Sequence, residues 1–215
     1  MSWLKSNFKI VWNSRKYTAI LICQLLLFGI LYAPSAVDVL NIIEIYFPLM
    51  SVAVFADIFY YDKRKKIGWS ISLKKVSYSK IYYTRIVISV TLNIIILVAV
   101  YLLFVIKHWG DTFVVSKNFM YYLLILSLPV TCLMGALTNL ITLITGNIVV
   151  GVSVCFLYWL FWNVKMELHS PFNIFMFSNY GDDNMLLLSK IAALLIAFIL
   201  FAVNGKVGES IGERA

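Results

Sequence analysis

Residues 61–85 read YDKRKKIGWSISLKKVSYSKIYYTR and carry eight of the chain's eighteen Lys and Arg side chains. Long and almost uninterrupted apolar sequence lies on both sides of this basic segment. Because Lys and Arg resist translocation across a membrane, a basic island between two apolar runs is typical of a cytoplasmic loop between two spans. This basic loop therefore predicts the side of the membrane on which every other segment lies.

The composition of the whole chain agrees with a membrane protein. Its 215 residues are 62% hydrophobic and only 13% charged, and the mean hydropathy is +0.89. Soluble domains are about 25% charged, so we expect one integral membrane domain over residues 1–215. The net charge of +8 is concentrated beside the apolar runs, which favours topology over nucleic-acid binding. Abundant Ile, Lys, Asn, Tyr and Phe suggest an AT-rich bacterial genome, and hence the bacterial plasma membrane.

The apolar runs predict an all-α protein with six transmembrane helices and both termini in the cytoplasm. The expected spans are residues 17–32, 39–61, 86–106, 118–145, 148–163 and 185–203, followed by a polar tail over 204–215. This arrangement leaves fourteen of the eighteen basic residues on the cytoplasmic side, as the positive-inside bias requires. Pro129 and Gly135 predict a kink or break in the fourth span. Gly146 and Asn147 predict a minimal turn before the fifth.

Two segments are expected to lie at the membrane surface. Residues 2–16 carry a helical stripe of apolar side chains with basic residues off the stripe, which predicts an interfacial amphipathic helix. The alternative is the positive region of a signal peptide with a cleavage site near residues 33–36. Residues 164–184 are neither a span nor a simple loop, because their aromatic and apolar run over 172–177 is too short to cross the bilayer. They predict an outer re-entrant or interfacial segment.

Polar side chains inside the expected spans are candidates for function, because charged groups at membrane depth are costly. Glu44 and Asn41 in the second span could line a substrate path. Glu44 could instead pair with Lys190, which is expected at the same depth of the sixth span and is a candidate for a structural ion pair. The sequence leaves these two alternatives open.

Three further polar groups have the same ambiguity. Asp57 lies near the cytoplasmic end of the second span and is a candidate to neutralise a neighbouring basic side chain. Asn93 and Asn139 could contact substrate or could form hydrogen bonds between helices.

Several enzyme signatures are absent from the sequence. There is no GxxxxGK[ST] phosphate loop and no HExxH metal motif. Residues 104–108 spell FxxxH and residues 169–173 spell HxxxN, fragments found in intramembrane prenyl-protein proteases, but the paired glutamates of those enzymes are missing. We therefore expect no enzyme, no metal site and no cofactor bound by this chain.

The basic loop has an internal pattern of its own. Asp62 is followed by four basic residues, Gly68, the segment 69–75, a serine-rich turn at 76–80 and Arg85. This pattern and the order of spans resemble the membrane subunit of type-two ATP-binding-cassette exporters, in which a short cytoplasmic coupling helix docks on a separate ATPase. Residues 169–173 are similar to the Pro-containing start of the outer re-entrant helices of that family. Tyr78 departs from the pattern, since a proline is common there.

The resemblance implies specific partners. An ATP-binding-cassette ATPase subunit would supply ATP and Mg, and a second permease copy or a sister permease would complete the dimer. Membrane lipid is the other expected partner, and nucleic acid is not expected. The residues implied in ATPase docking are Trp69, Ile71, Leu73, Lys74, Lys75, Val76 and Ser77, where apolar side chains could enter a partner's groove and lysines could form its charged rim.

Small permeases that the chain resembles move hydrophobic or amphipathic peptides such as bacteriocins and toxins, or confer immunity to them. The alternatives are a non-transporting accessory subunit of a peptide-sensing or resistance complex, and an intramembrane enzyme.

Overall fold

The structure is a computed structural model that describes residues 29, 32–56, 58, 78–107, 117–168, 170–178 and 183–213. Over these residues the fold is all-helical, as the sequence predicts, with five α-helices and no strand. The helices are α1 (Ala36–Phe55), α2 (Tyr78–Lys107), α3 (Lys117–Thr145), α4 (Ile148–Val164) and α5 (Asp183–Glu213).

Four of these helices are long and apolar enough to cross a membrane. They contain the candidate spans Ala36–Phe55, Ser79–Lys107, Phe119–Thr145 and Asn184–Gly208, whereas α4 is an apolar helix of 17 residues. This pattern is that of a multi-pass membrane protein. The expected interfacial helix over residues 2–16 lies outside the described residues. So does the expected first span, apart from Gly29 and Tyr32.

Local sequence signals set the starts of two helices. Ser35 caps α1, because its hydroxyl oxygen accepts a hydrogen bond from the backbone N–H of Asp38 at 3.2 Å. Gly146 has a φ of 66°, in the left-handed region that favours glycine, and ends α3. Asn147 then caps α4 through its side-chain oxygen, which accepts from the N–H of Val149 at 2.9 Å. The predicted minimal turn between the fourth and fifth spans is therefore present.

Helix α3 is the centre of the bundle and packs against each of the other four helices.

Successive helices alternate in direction. At one end, which we call the basic-loop end, the guanidinium of Arg85, two turns into α2, donates to the carbonyl of Ile58 just after α1. At the other end, the far end, Lys107 Nζ at the close of α2 donates to the Ala33 carbonyl at 3.1 Å.

Helix α2 begins earlier than the sequence predicts. The third span was expected from residue 86, after a turn over 76–80, but the helix begins at Tyr78. Arg85 and Tyr82 are buried one and two turns before Ser89 on the same face, so tertiary packing extends the helix into the basic segment.

Helix α5 ends later than the sequence predicts. Residues 204–215 were expected to form a polar tail, but the helix continues to Glu213. The Asn204 side chain is fully buried and donates to the Ala136 carbonyl at 2.9 Å. Because this bond ties the segment to α3, a polar sequence here remains part of the bundle.

Helix α3 is also continuous from Lys117 to Thr145, so of the kink or break expected at Pro129 and Gly135 the break is absent. Gly135 serves close packing instead. A Cβ at this position would lie 2.6 Å from Cδ2 of Phe55, so the missing side chain lets the Phe55 ring pack directly on α3.

Candidate functional site

A buried ion pair joins α1 to α5 in the half of the bundle nearer the far end. Lys190 Nζ lies 2.5 Å from Oε1 of Glu44, and the two side chains are 2% and 0% exposed. Of the two roles that the sequence left open for Glu44, the structure shows the pairing with Lys190. A charge this deeply buried is tolerated only when it is paired and hydrogen-bonded.

The same carboxylate holds a segment of irregular backbone. Oε1 of Glu44 also accepts from the N–H of Phe177 at 3.1 Å, and Oε2 accepts from the N–H and the hydroxyl of Ser178 at 2.8 and 2.7 Å. Lys190 Nζ donates in addition to the Ile174 carbonyl at 2.8 Å. Both charged groups therefore bind residues 174–178, which we call the Glu44-bound segment.

Asn173 shapes the chain just before this segment. Its Nδ2 donates to the carbonyls of Met166 and Leu168 at 2.9 and 3.0 Å, and its Oδ1 accepts from the N–H of Phe175 at 2.9 Å. The described part of the expected re-entrant segment consists of turns and contains no helix between residues 165 and 178. Irregular backbone at membrane depth requires such internal partners, because lipid offers no hydrogen bonds.

The base of the basic loop is a second buried polar site. Arg85 is 2% exposed, and its Nη1 donates to the Ile58 carbonyl at 2.6 Å. A charge-assisted hydrogen bond therefore joins Ile58, before positions 59–77, to Arg85, after them. Arg85 was expected as the last basic residue of the loop, but its guanidinium lies inside the bundle.

A third group of polar side chains joins α2 to α3. Asn139 Nδ2 donates to the Tyr82 hydroxyl oxygen at 3.2 Å, so Asn139 forms the interhelical hydrogen bond that was one of its two expected roles. Both side chains are fully buried. Asn93 instead donates to the Ser89 carbonyl within its own helix at 2.9 Å. The buried side-chain oxygens of Asn41 and Asn93 have no hydrogen-bond partner among the described residues.

The structure brings together only some of the residues that the sequence singled out. Glu44 meets Lys190, but no hydrogen bond among the described residues links Asn41, Asn93 or Asn139 to that pair. Asp57 and the expected docking residues Trp69, Ile71, Leu73, Lys74, Lys75, Val76 and Ser77 lie outside the described residues.

A groove runs along the bundle surface beside the ion pair. Its volume is about 320 Å³, and it lies between the first half of α3 and the first half of α5. Lys190 lines it, and the other lining side chains are apolar, among them Leu124, Leu128, Pro129, Leu187 and Ile191.

Sequence reasoning missed the residues that complete these sites. Ser178 and Asn173 lie in a segment without helical or strand periodicity, so no pattern could assign them a partner. Arg85 offered a signal, since a basic residue in register with the apolar face of a following span is expected to be buried.

Within the described part of the chain, no three His, Cys, Asp or Glu side chains come together as a metal site. Comparison of the chain with protein-family models, curated proteins and solved structures finds no match.

Proposed function

We propose that the chain is the permease subunit of an ATP-driven exporter in a bacterial plasma membrane, working with separate ATP-binding-cassette ATPase subunits. Its cargo would be hydrophobic or amphipathic peptides, and it would act as a dimer of two copies or with a sister permease. The six-span topology and the interfacial N-terminal helix belong to the same proposal.

The observation that carries the proposal is the tie between Arg85 and Ile58 at the base of the basic loop. A permease without a nucleotide site must be driven by a conformational change that its ATPase transmits through a cytoplasmic surface. Ile58, before positions 59–77, and Arg85, after them, are joined by a buried hydrogen bond of 2.6 Å. A partner that binds residues 69–77 and changes conformation would therefore transmit its movement to both α1 and α2.

The polar interior gives secondary support. Intramembrane ionisable residues commonly mark transport pathways, and Glu44 with Lys190 places two such groups beside irregular backbone. This arrangement suits a protein that rearranges in the membrane better than a passive anchor.

The test is to co-express the chain with a candidate ATP-binding-cassette ATPase from its operon, purify through a tag on the permease, and measure ATP hydrolysis. We expect the ATPase to co-purify, and Leu73→Asp with Val76→Asp to abolish co-purification because charges would enter the apolar docking surface. Arg85→Ala should retain binding but change the rate of hydrolysis, since the loop remains and its tie to α1 is lost.

Lys80→Ala is the matched control for Arg85→Ala, because Lys80 lies on the same helix and is exposed. It should behave as the unmodified chain does. An ATPase that never co-purifies, or that binds the loop double variant equally well, would contradict the exporter. The accessory-subunit alternative would then lead.

A further inference from the structure

The groups that surround the Glu44 carboxylate form a complete receptor for an anion. One ammonium, two backbone N–H groups and one hydroxyl donate to its two oxygens at 2.5 to 3.1 Å. All four donors come from Lys190, Phe177 and Ser178, which belong to parts of the chain remote from α1. Charge-assisted donors in this number are the usual means of recognising a carboxylate.

These donors are held in place by contacts that do not involve Glu44. The ammonium of Lys190 is also bound to the Ile174 carbonyl at 2.8 Å. The backbone leading to Phe177 is shaped by Asn173, whose side chain makes three hydrogen bonds of 2.9 to 3.0 Å. Part of the receptor is therefore held by contacts that remain when Glu44 is removed, and such preorganisation favours binding of a replacement anion.

We propose that this is a carboxylate-binding site, occupied in this structure by the chain's own Glu44. A ligand that bears a terminal carboxylate on an apolar chain would bind there in place of Glu44. The proposal stands on this geometry, and only the further step from ligand to exported cargo rests on the proposed function.

The groove beside the site defines the rest of the ligand. Lys190 both holds the carboxylate and lines the groove, whose other lining residues are apolar. The surface of the groove is almost wholly apolar, so it would accept an apolar chain, and the Lys190 side chain connects the groove to the carboxylate site. The C-terminus of an apolar peptide and a fatty acid share this chemistry.

The first experiment removes the internal carboxylate and returns it as a solute. Glu44→Ala deletes a CH₂–COO⁻ group, and acetate supplies the same fragment. The full-length variant is purified in detergent and its thermal unfolding is followed by tryptophan fluorescence, with sodium acetate, acetamide or sodium chloride added. We expect acetate alone to raise the midpoint saturably, by about 3 to 5 °C at ten times its dissociation constant.

The control is the double variant Glu44→Ala with Lys190→Met, in which acetate should have no effect because its main donor is lost. Equal stabilisation by acetamide or chloride, or an equal acetate effect in the double variant, would overturn the site. Glu44→Ser is prepared in parallel because Glu44→Ala can fail to fold. Recovery of folded protein only in acetate buffers supports the site, and failure of both variants even in acetate overturns it.

The second experiment identifies the source of the ligand with the unmodified chain. Decanoate is compared with decanol, and an apolar tetrapeptide with a free C-terminus is compared with its amide, in the same unfolding assay. A midpoint raised only by decanoate indicates fatty acids, and one raised only by the free peptide acid indicates peptide C-termini. If acetate stabilises Glu44→Ala but neither acid stabilises the unmodified chain, the proposal that a ligand displaces Glu44 is wrong. Loss of ATPase co-purification would contradict the exporter and leave these results unchanged.

Discussion

Glu44 and Lys190 are buried side chains of opposite charge whose desolvation is compensated by hydrogen bonds within the chain. The carboxylate accepts four hydrogen bonds, and the ammonium is shared between Glu44 and the Ile174 carbonyl. Taking two charges out of water costs several kcal/mol each, so such a pair gives little net stability but a large penalty when one partner is removed. Its main consequence is to hold the Glu44-bound segment against α1 and α5.

The first prediction concerns this penalty. Lys190→Met should lower the free energy of unfolding by about 3 to 5 kcal/mol, because it leaves the buried carboxylate of Glu44 without its counter-charge. Chemical unfolding of the purified protein in detergent measures the change. Lys206→Met is the matched control on the same helix, since Lys206 is exposed, and it should change stability by less than about 0.5 kcal/mol. Equal effects of the two substitutions would contradict the role of the ion pair.

At the scale of the element, α5 is both a span and an anchor at the basic-loop end. Its last turns remain in the bundle through the buried side chain of Asn204 and through Gly205, which lies beside the Tyr83 hydroxyl. A Cβ on Gly205 would lie 3.0 Å from that hydroxyl oxygen, so α5 and α2 are in close contact here. The polar end of α5 therefore contributes packing as well as charge.

The second prediction tests this anchoring. Removal of residues 204–215 should lower the free energy of unfolding by at least about 2 kcal/mol, because the Ala136 carbonyl loses its buried donor and the helix loses its packed turns. Folded yield on size exclusion and the unfolding midpoint measure the effect. Removal of residues 214–215 only, which follow α5, should leave both unchanged. If removal of residues 204–215 has no more effect than removal of residues 214–215, the anchoring role is wrong and residues 204–215 form a free polar tail.

At the scale of the whole molecule, the five helices of the described residues alternate in direction, which places the start of α2 and the α3–α4 turn at one end. Lys107 and Ala33 mark the far end. Arg85 and Ile58 mark the basic-loop end. Because Lys and Arg are retained on the cytoplasmic side, the basic-loop end is expected in the cytoplasm.

The third prediction concerns sidedness in intact cells. In a background without native cysteines, Pro34→Cys and Glu167→Cys should react with a membrane-impermeant maleimide, because both positions are exposed near the far end. Lys80→Cys and Lys206→Cys should react only after the membrane is permeabilised. Reaction of Pro34→Cys and Lys80→Cys from the same side would contradict the alternating arrangement.

The sequence by itself determined the class of the protein, the apolar cores of the described helices and the short turn at Gly146 and Asn147. These features follow from composition, periodicity and local capping, which act within a few residues. Only the tertiary structure decided that Glu44 pairs with Lys190, that Arg85 lies inside the bundle and that Asn204 belongs to a helix. Each of these depends on a partner distant in the chain, and the cost of an unpaired polar group in an apolar interior selects that partner only once the helices are packed.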